Sequence, residues 1–133
     1  MTTLIRQSSD AAFLRRALLA DAALSAATGL LLAFGANHLT SLLGLPVGLM
    51  RYAGMSLLPF AAIVLYVGLR ARPPRPAVLA IIAYNALWAA DSMVLLASGL
   101  VHPTQLGGAF VAAQAAIVGI FAALQWVGLK RNV

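Results

Sequence analysis

The chain is 133 residues long, 62% hydrophobic and only 9% charged, and it carries a net charge of +6. Ordinary soluble domains are about 45–50% apolar and about 25% charged, so this composition excludes a soluble globular fold. With no cysteine in the chain, disulfides, thiolate nucleophiles and cysteine metal sites are excluded as well.

Four apolar runs fill most of the length, at about 17–36, 48–70, 77–99 and 108–128, each near the ~20 residues needed to cross a bilayer core. The predicted fold is all-α: one integral membrane four-helix bundle. Backbone exposed to lipid must be hydrogen-bonded within its own segment, and the runs lack the alternation of a membrane barrel. Ahead of the first run, "MTTLIRQSSDAAFLRRALLA" has no short apolar core followed by a small-residue cleavage site. Run 1 is therefore expected to be a retained helix, with Ser8, Ser9 and Asp10 as candidate caps. In the connection "ANHLTSLLGLP", Asn37 or His38 ends helix 1 and Thr40 caps a short turn. Gly44 terminates that turn, and Pro46 opens helix 2.

Between helices 2 and 3 the prolines of "RARPPRP" (70–76) predict a stiff extended linker. Helix 3 sets Tyr84, Trp88, Asp91, Ser92 and Leu95 on one face, flanked by Asn85, against an aliphatic face of Leu79, Ile82, Ala86, Ala90 and Val94. Tyr84 and Trp88 are candidate pocket aromatics. "VHPTQLGG" leads into helix 4, whose stripe of Ala109, Ala112, Ala113, Ala116, Gly119 and Ala123 permits close helix approach, within the bundle or between chains.

Eight of the nine basic residues fall on one side of these helices: Arg6, Arg15, Arg16, Arg70, Arg72, Arg75, Lys130 and Arg131. By the positive-inside rule that side is the cytoplasm, with both termini there and the chain in the inner (plasma) membrane. Such charges are topology signals that meet anionic lipid headgroups, and no nucleic-acid partner is expected.

Shifting the chain by 64 residues lays His38, Thr40, Leu42 and Gly44 on His102, Thr104, Leu106 and Gly108, and Gly35 on Gly99. A shift of 60 lays "YVGLR" on "WVGLK". The spaced Gly-x-x-His-x-Thr-x-Leu-x-Gly predicts two parallel helical-hairpin repeats, about 17–70 and 77–130, related by an axis along the membrane normal, with the same loop path in both.

Polar groups inside the apolar runs are costly and usually face other helices or a cavity. Depth sorts them into two layers. Asp21, Asn85 and Gln125 lie at the cytoplasmic level. On the outer side, Arg51, Asp91, Gln114 and Ser92 form the second set, in which Arg51 is expected to pair with Asp91 because a helix rise of ~1.5 Å per residue sets them within reach.

The chain contains no glutamate, no His-Glu-x-x-His, no Gly-x-Ser-x-Gly and no glycine-rich phosphate loop. No catalytic, metal or cofactor site is predicted, and the protein is not expected to be an enzyme. The leading expectation is an accessory or structural subunit that packs against other membrane subunits or forms a homo-oligomer. The alternative is a small proton- or cation-coupled transporter or channel using Asp91 and Asp21. In size and four-helix layout the chain resembles the small multidrug-resistance transporters. Their first-helix glutamate has its nearest counterpart here in Asp21, which sits shallower than a midplane site. The chain is similar in the same way to other small four-helix inner-membrane proteins of bacteria.

Overall fold

The computed structural model describes the backbone of residues 2–131 and the side chains of residues 11–131. The candidate caps Ser8, Ser9 and Asp10 and the basic residue Arg6 have side chains outside the described residues. Four helices make up the fold: α1 (Thr2–Leu43), α2 (Val47–Gly68), α3 (Arg75–Ser98) and α4 (Gln105–Arg131). All four are long and apolar enough to cross a membrane.

The helices alternate in direction, which gathers Arg15, Arg70, Arg72, Arg75 and Lys130 at one end, here the basic end. Arg15 donates from Nε to the Gly68 carbonyl at 3.4 Å, setting a cation on the C-terminus of α2 where the helix dipole favours it. Lys130 and Arg131 occupy the last turn of α4 in the same sense, above the Trp126 and Phe13 rings respectively.

Glycine and proline set the connections. Gly44, at φ +69°, stops α1, and Pro46 opens α2. Pro74 precedes α3, and Gly99, at φ +77°, ends it. Thr104 caps α4 by accepting from the Gly107 N–H at 3.0 Å. It also donates to the Leu42 carbonyl at 2.7 Å, which ties the two far-end loops together.

Two expectations are corrected here. Helix 1 does not stop near 36; it runs to Leu43, so Thr40 lies inside it rather than capping a separate turn. The two loops also take different paths. Gly99 is left-handed and ends α3, whereas its counterpart Gly35 sits well inside α1. A glycine favours a helix stop but does not impose one, and the run "ANHLTSLL" carries α1 past Gly35.

Around the bundle the packed neighbours are α1 with α2, α1 with α4, and α3 with α4, while α2 and α3 barely touch. Helices α1 and α2 approach each other closely at Gly54. A Cβ there would collide with the Ala33 backbone nitrogen and lie 2.7 Å from the Gly29 carbonyl oxygen. The buried face of α2 follows from that contact: Met50, Gly54, Leu57, Ala61 and Val64 recur at helical spacing. On α3, by contrast, the buried residues are Val78, Ile81 and Asn85, and none of its described residues beyond Asn85 is buried. Ala113, Ala116 and Ala123 of the α4 stripe are exposed, so this stripe lies on the outside of the bundle.

Gly54→Val should lower the denaturation midpoint of the purified protein by the equivalent of about 1–3 kcal/mol, the range of an overpacked contact. Gly119→Ala, where nothing lies within 4 Å of the added methyl, serves as the control. Equal midpoints for the two variants would disprove the close α1–α2 contact.

Candidate functional site

Two polar networks stand inside the bundle at different depths. The one nearer the basic end is centred on Asp21 of α1, which is 1% exposed; its partners Asn85 (α3) and Gln125 (α4) are 2% and 0% exposed. Asp21 Oδ2 accepts from Asn85 Nδ2 and from Gln125 Nε2, both at 2.7 Å. Oδ1 accepts from Ser25 Oγ at 3.0 Å, one helical turn along α1. The same Asn85 Nδ2 lies 3.0 Å from Gln125 Oε1, which closes the triangle. No basic side chain among the described residues takes part. A buried carboxylate is costly unless hydrogen-bonded, and here three neutral donors from three helices supply those bonds. Asp21 and Asn85 are 64 residues apart, the offset that aligns the two halves of the sequence, and they meet face to face.

The second network joins α3 to α4. Trp88 Nε1 donates to Gln114 Oε1 at 2.9 Å, Gln114 Nε2 donates to Ser92 Oγ at 2.8 Å, and Ser92 Oγ donates to the Trp88 carbonyl at 2.7 Å. Each polar atom of this triad has a partner, so it fastens the two helices without presenting a free group.

Beside the triad lies a cavity of about 350 Å³ with walls from all four helices. Tyr52 of α2 and Asp91 of α3, both exposed, belong to its wall, so it opens through the cleft where α2 and α3 barely meet. Asp91 is the one charged side chain on this wall. A second cavity of about 210 Å³ continues towards the basic end as far as Asp21 and Ser25. Thr28, Leu57, Trp88, Phe110 and Gln114 line both and form the partition between them.

The expected Arg51–Asp91 pair is not formed. Arg51 donates to Asn37 Oδ1 at 3.3 Å, on α1. The reason lies in the register of the antiparallel α1–α2 pair. Gly54 meets Ala33, so one turn higher on the same face Arg51 meets Asn37. Depth alone matched Arg51 to Asp91; the direction around the helix does not. Among the described residues none donates a hydrogen bond to the Asp91 carboxylate, and Gln114 and Ser92 bond each other and Trp88 instead.

Of the two candidate aromatics, Trp88 lines both cavities. Tyr84 stacks on Phe60 of α2 with centroids 4.1 Å apart, and holds α3 to α2 near the level of Asn85. His38 and His102 are both exposed. Sequence reasoning did not single out Tyr52, Phe110, Thr28 or Ser25. Ser25 carried a readable signal, because it sits four residues after Asp21 on the same helical face. Compared with known protein families, curated proteins and solved structures, the chain has no match among them.

Asn85→Leu should destabilise the protein by about 1–3 kcal/mol, because it withdraws a donor from a buried carboxylate. Replacing Asp21, Asn85 and Gln125 together by leucine should recover part of that loss; a triple variant as unstable as the sum of three singles would contradict the shared network. Separately, Arg51→Leu and Asp91→Asn should have additive effects on the denaturation midpoint, within about 0.5 kcal/mol. Measurable coupling between them would restore the ion pair.

Proposed function

We propose that the protein is a multi-pass protein of the inner (plasma) membrane, with its basic end and both termini in the cytoplasm. In this reading it acts as a small transporter, and a positively charged solute occupies the chamber between α2 and α3. Asp91 is the carboxylate that receives the solute, and the Asp21 cluster closes the chamber on the cytoplasmic side. Asp91 carries this reading. A carboxylate within a helix long enough to span a bilayer costs a few kcal/mol unless it is paired or wet. Asp91 stands on the wall of an open cavity and has no donor among the described residues.

The charge distribution supports the orientation, since Arg51 is the single basic residue at the far end. The pairing of Asp21 with Asn85 at an offset of 64 residues supports an ancestral hairpin duplication whose loops have since diverged.

A second reading, an accessory or homo-oligomeric subunit, is favoured by one feature of α3. Beyond Asn85 none of its described residues is fully buried, and a helix from another subunit laid against the α2–α3 cleft would cover both that surface and Asp91.

Thiol labelling in intact cells separates the two. With a membrane-impermeant maleimide, Thr40→Cys and Ser92→Cys should react from outside, and Arg72→Cys only after permeabilisation. Reaction of Arg72→Cys from outside would reverse the topology. A protected Ser92→Cys beside a reactive Thr40→Cys would mean a sealed cleft, and copurification of a stoichiometric partner would then establish the subunit role.

A further inference from the structure

We infer that the ligand of the chamber is a single-chain amphiphile with a protonated amine head, which enters sideways from the leaflet at the far end of the bundle through the α2–α3 cleft. This rests on the chamber reading above and names the chemistry that the chamber recognises.

The entrance comes first. Three of the four helix neighbours are packed and the fourth is not, so the chamber opens along the side of the bundle. On either side of this opening the chamber is lined by Leu49, Tyr52 and Ala53 on α2 and by Leu95 beside Asp91 on α3. An apolar-lipped opening that faces lipid admits a molecule already dissolved in the leaflet.

The wall then sets the ligand's two ends. Asp91 is its sole charge and no basic residue lines the chamber, because Arg51 is held against Asn37 on the α1 side. A positive head is therefore attracted and a negative one repelled. The aromatic side chains of Tyr52, Trp88 and Phe110 on the same wall favour a cation beside the carboxylate and an alkyl chain beyond it. The head cannot settle equally well at Asp21. That carboxylate is buried and already accepts three hydrogen bonds, one of them paired with an amide-to-amide contact that a newcomer would break.

Room for the chain is provided by the continuation past the Trp88–Gln114 partition. There Leu24, Ile117, Val118 and Phe121 line the second cavity. The first cavity, at about 350 Å³, lies at the small end of ligand pockets, which suits one alkyl chain rather than a two-chain lipid.

The chain holds two tryptophans, which makes the test direct. In the Trp126→Phe protein, reconstituted in phosphatidylcholine vesicles, only Trp88 fluoresces. Its quenching is titrated with decylammonium bearing a nitroxide at the tail end, and with the matching neutral alcohol and anionic sulfate. The Trp88→Phe protein, read through Trp126 at the basic end, reports simple partition of each probe into the bilayer. Quenching of Trp88 by the ammonium probe should saturate, with half-saturation about tenfold below that of the alcohol, the step that one modest electrostatic contact produces. In Asp91→Asn the two probes should become equal. Equal half-saturation in the parent protein would overturn the cationic class while leaving the chamber intact. A preference that survives Asp91→Asn would overturn the placement of the head. Unsaturable quenching by all three probes, matching that of Trp126, would overturn both the inference and the chamber itself.

Discussion

Asp21 is the point on which the bundle turns. Its carboxylate is the only group among the described residues that reaches side-chain donors on its own helix, on α3 and on α4 at once. In an apolar interior hydrophobic attraction does not choose between one packing of leucines and another, because lipid chains are as apolar as the side chains. A buried carboxylate does choose. It has to gather donors, and the donors available, Asn85 and Gln125, fix the rotation and depth of the helices that carry them. Tyr84, next to Asn85, then stacks on Phe60 and completes the ring at that level. The consequence for α3 is asymmetric. The helix is fastened near Asn85 and has no buried residue further along, so its remaining length stands away from α2 and leaves the chamber open. The site that carries Asp91 is thus the other face of the constraint that Asp21 imposes.

The α1–α2 pair is built on the opposite principle. There the helices meet backbone to backbone, with Gly29 and Gly54 removing the side chains that would hold them apart. Close approach of this kind needs no polar group and gains from van der Waals contact and from the absence of side-chain entropy to lose. The α3–α4 pair is instead joined by the Trp88–Gln114–Ser92 triad. A duplicated hairpin would be expected to use one device in both halves. Gly68 and Gly128, counterparts at an offset of 60, both pack on α1, against Leu18 and against Leu14. Both glycines serving one helix makes α1 the axis of the bundle and leaves α3 without an equivalent seat, which is why the ring is closed on one side and open on the other.

How much of this was legible in the sequence depends on which coordinate is considered. Depth along a helix axis is fixed by counting residues from the ends of an apolar run, and that counting set Asp21, Asn85 and Gln125 at one level, where the structure joins them. Direction around the axis depends on which neighbour the helix has chosen, and counting says nothing of it. Arg51 and Asp91 are the clear case: close in depth, they are separated because Arg51 shares the face of Gly54, the residue that seats α2 on α1. Gly54 was itself a readable marker, since a glycine within an apolar helix signals a close helix contact. The loop paths failed for a related reason. Matching residues at an offset of 64 predicted one loop path in both halves, but whether a helix stops at Gly35 or at Gly99 depends on the packing around it. Of the chamber, Trp88, Asp91, Ser92 and Gln114 were legible as polar or aromatic residues on facing helices, but the opening itself was not, since it is made by a contact that α2 and α3 do not make.

The functional reading turns on the cost of leaving Asp91 uncovered. A membrane helix does not carry a bare carboxylate against hydrocarbon without compensation. Inside the molecule the nearest compensating groups are already engaged: Arg51 with Asn37, and Gln114 with Trp88 and Ser92. The triad could have turned one donor towards Asp91, yet its hydrogen bonds are satisfied internally, so the carboxylate stands free beside a polar network rather than within it. Cover from beyond the described residues can be water, a cationic ligand or a partner helix. A partner helix would have to bring a donor to the depth of Asp91 across a cleft whose far wall lies on α1 and α4. In the transport reading proposed above, water with an intermittently bound cation covers Asp91, and the thin α2–α3 contact is the opening that admits it.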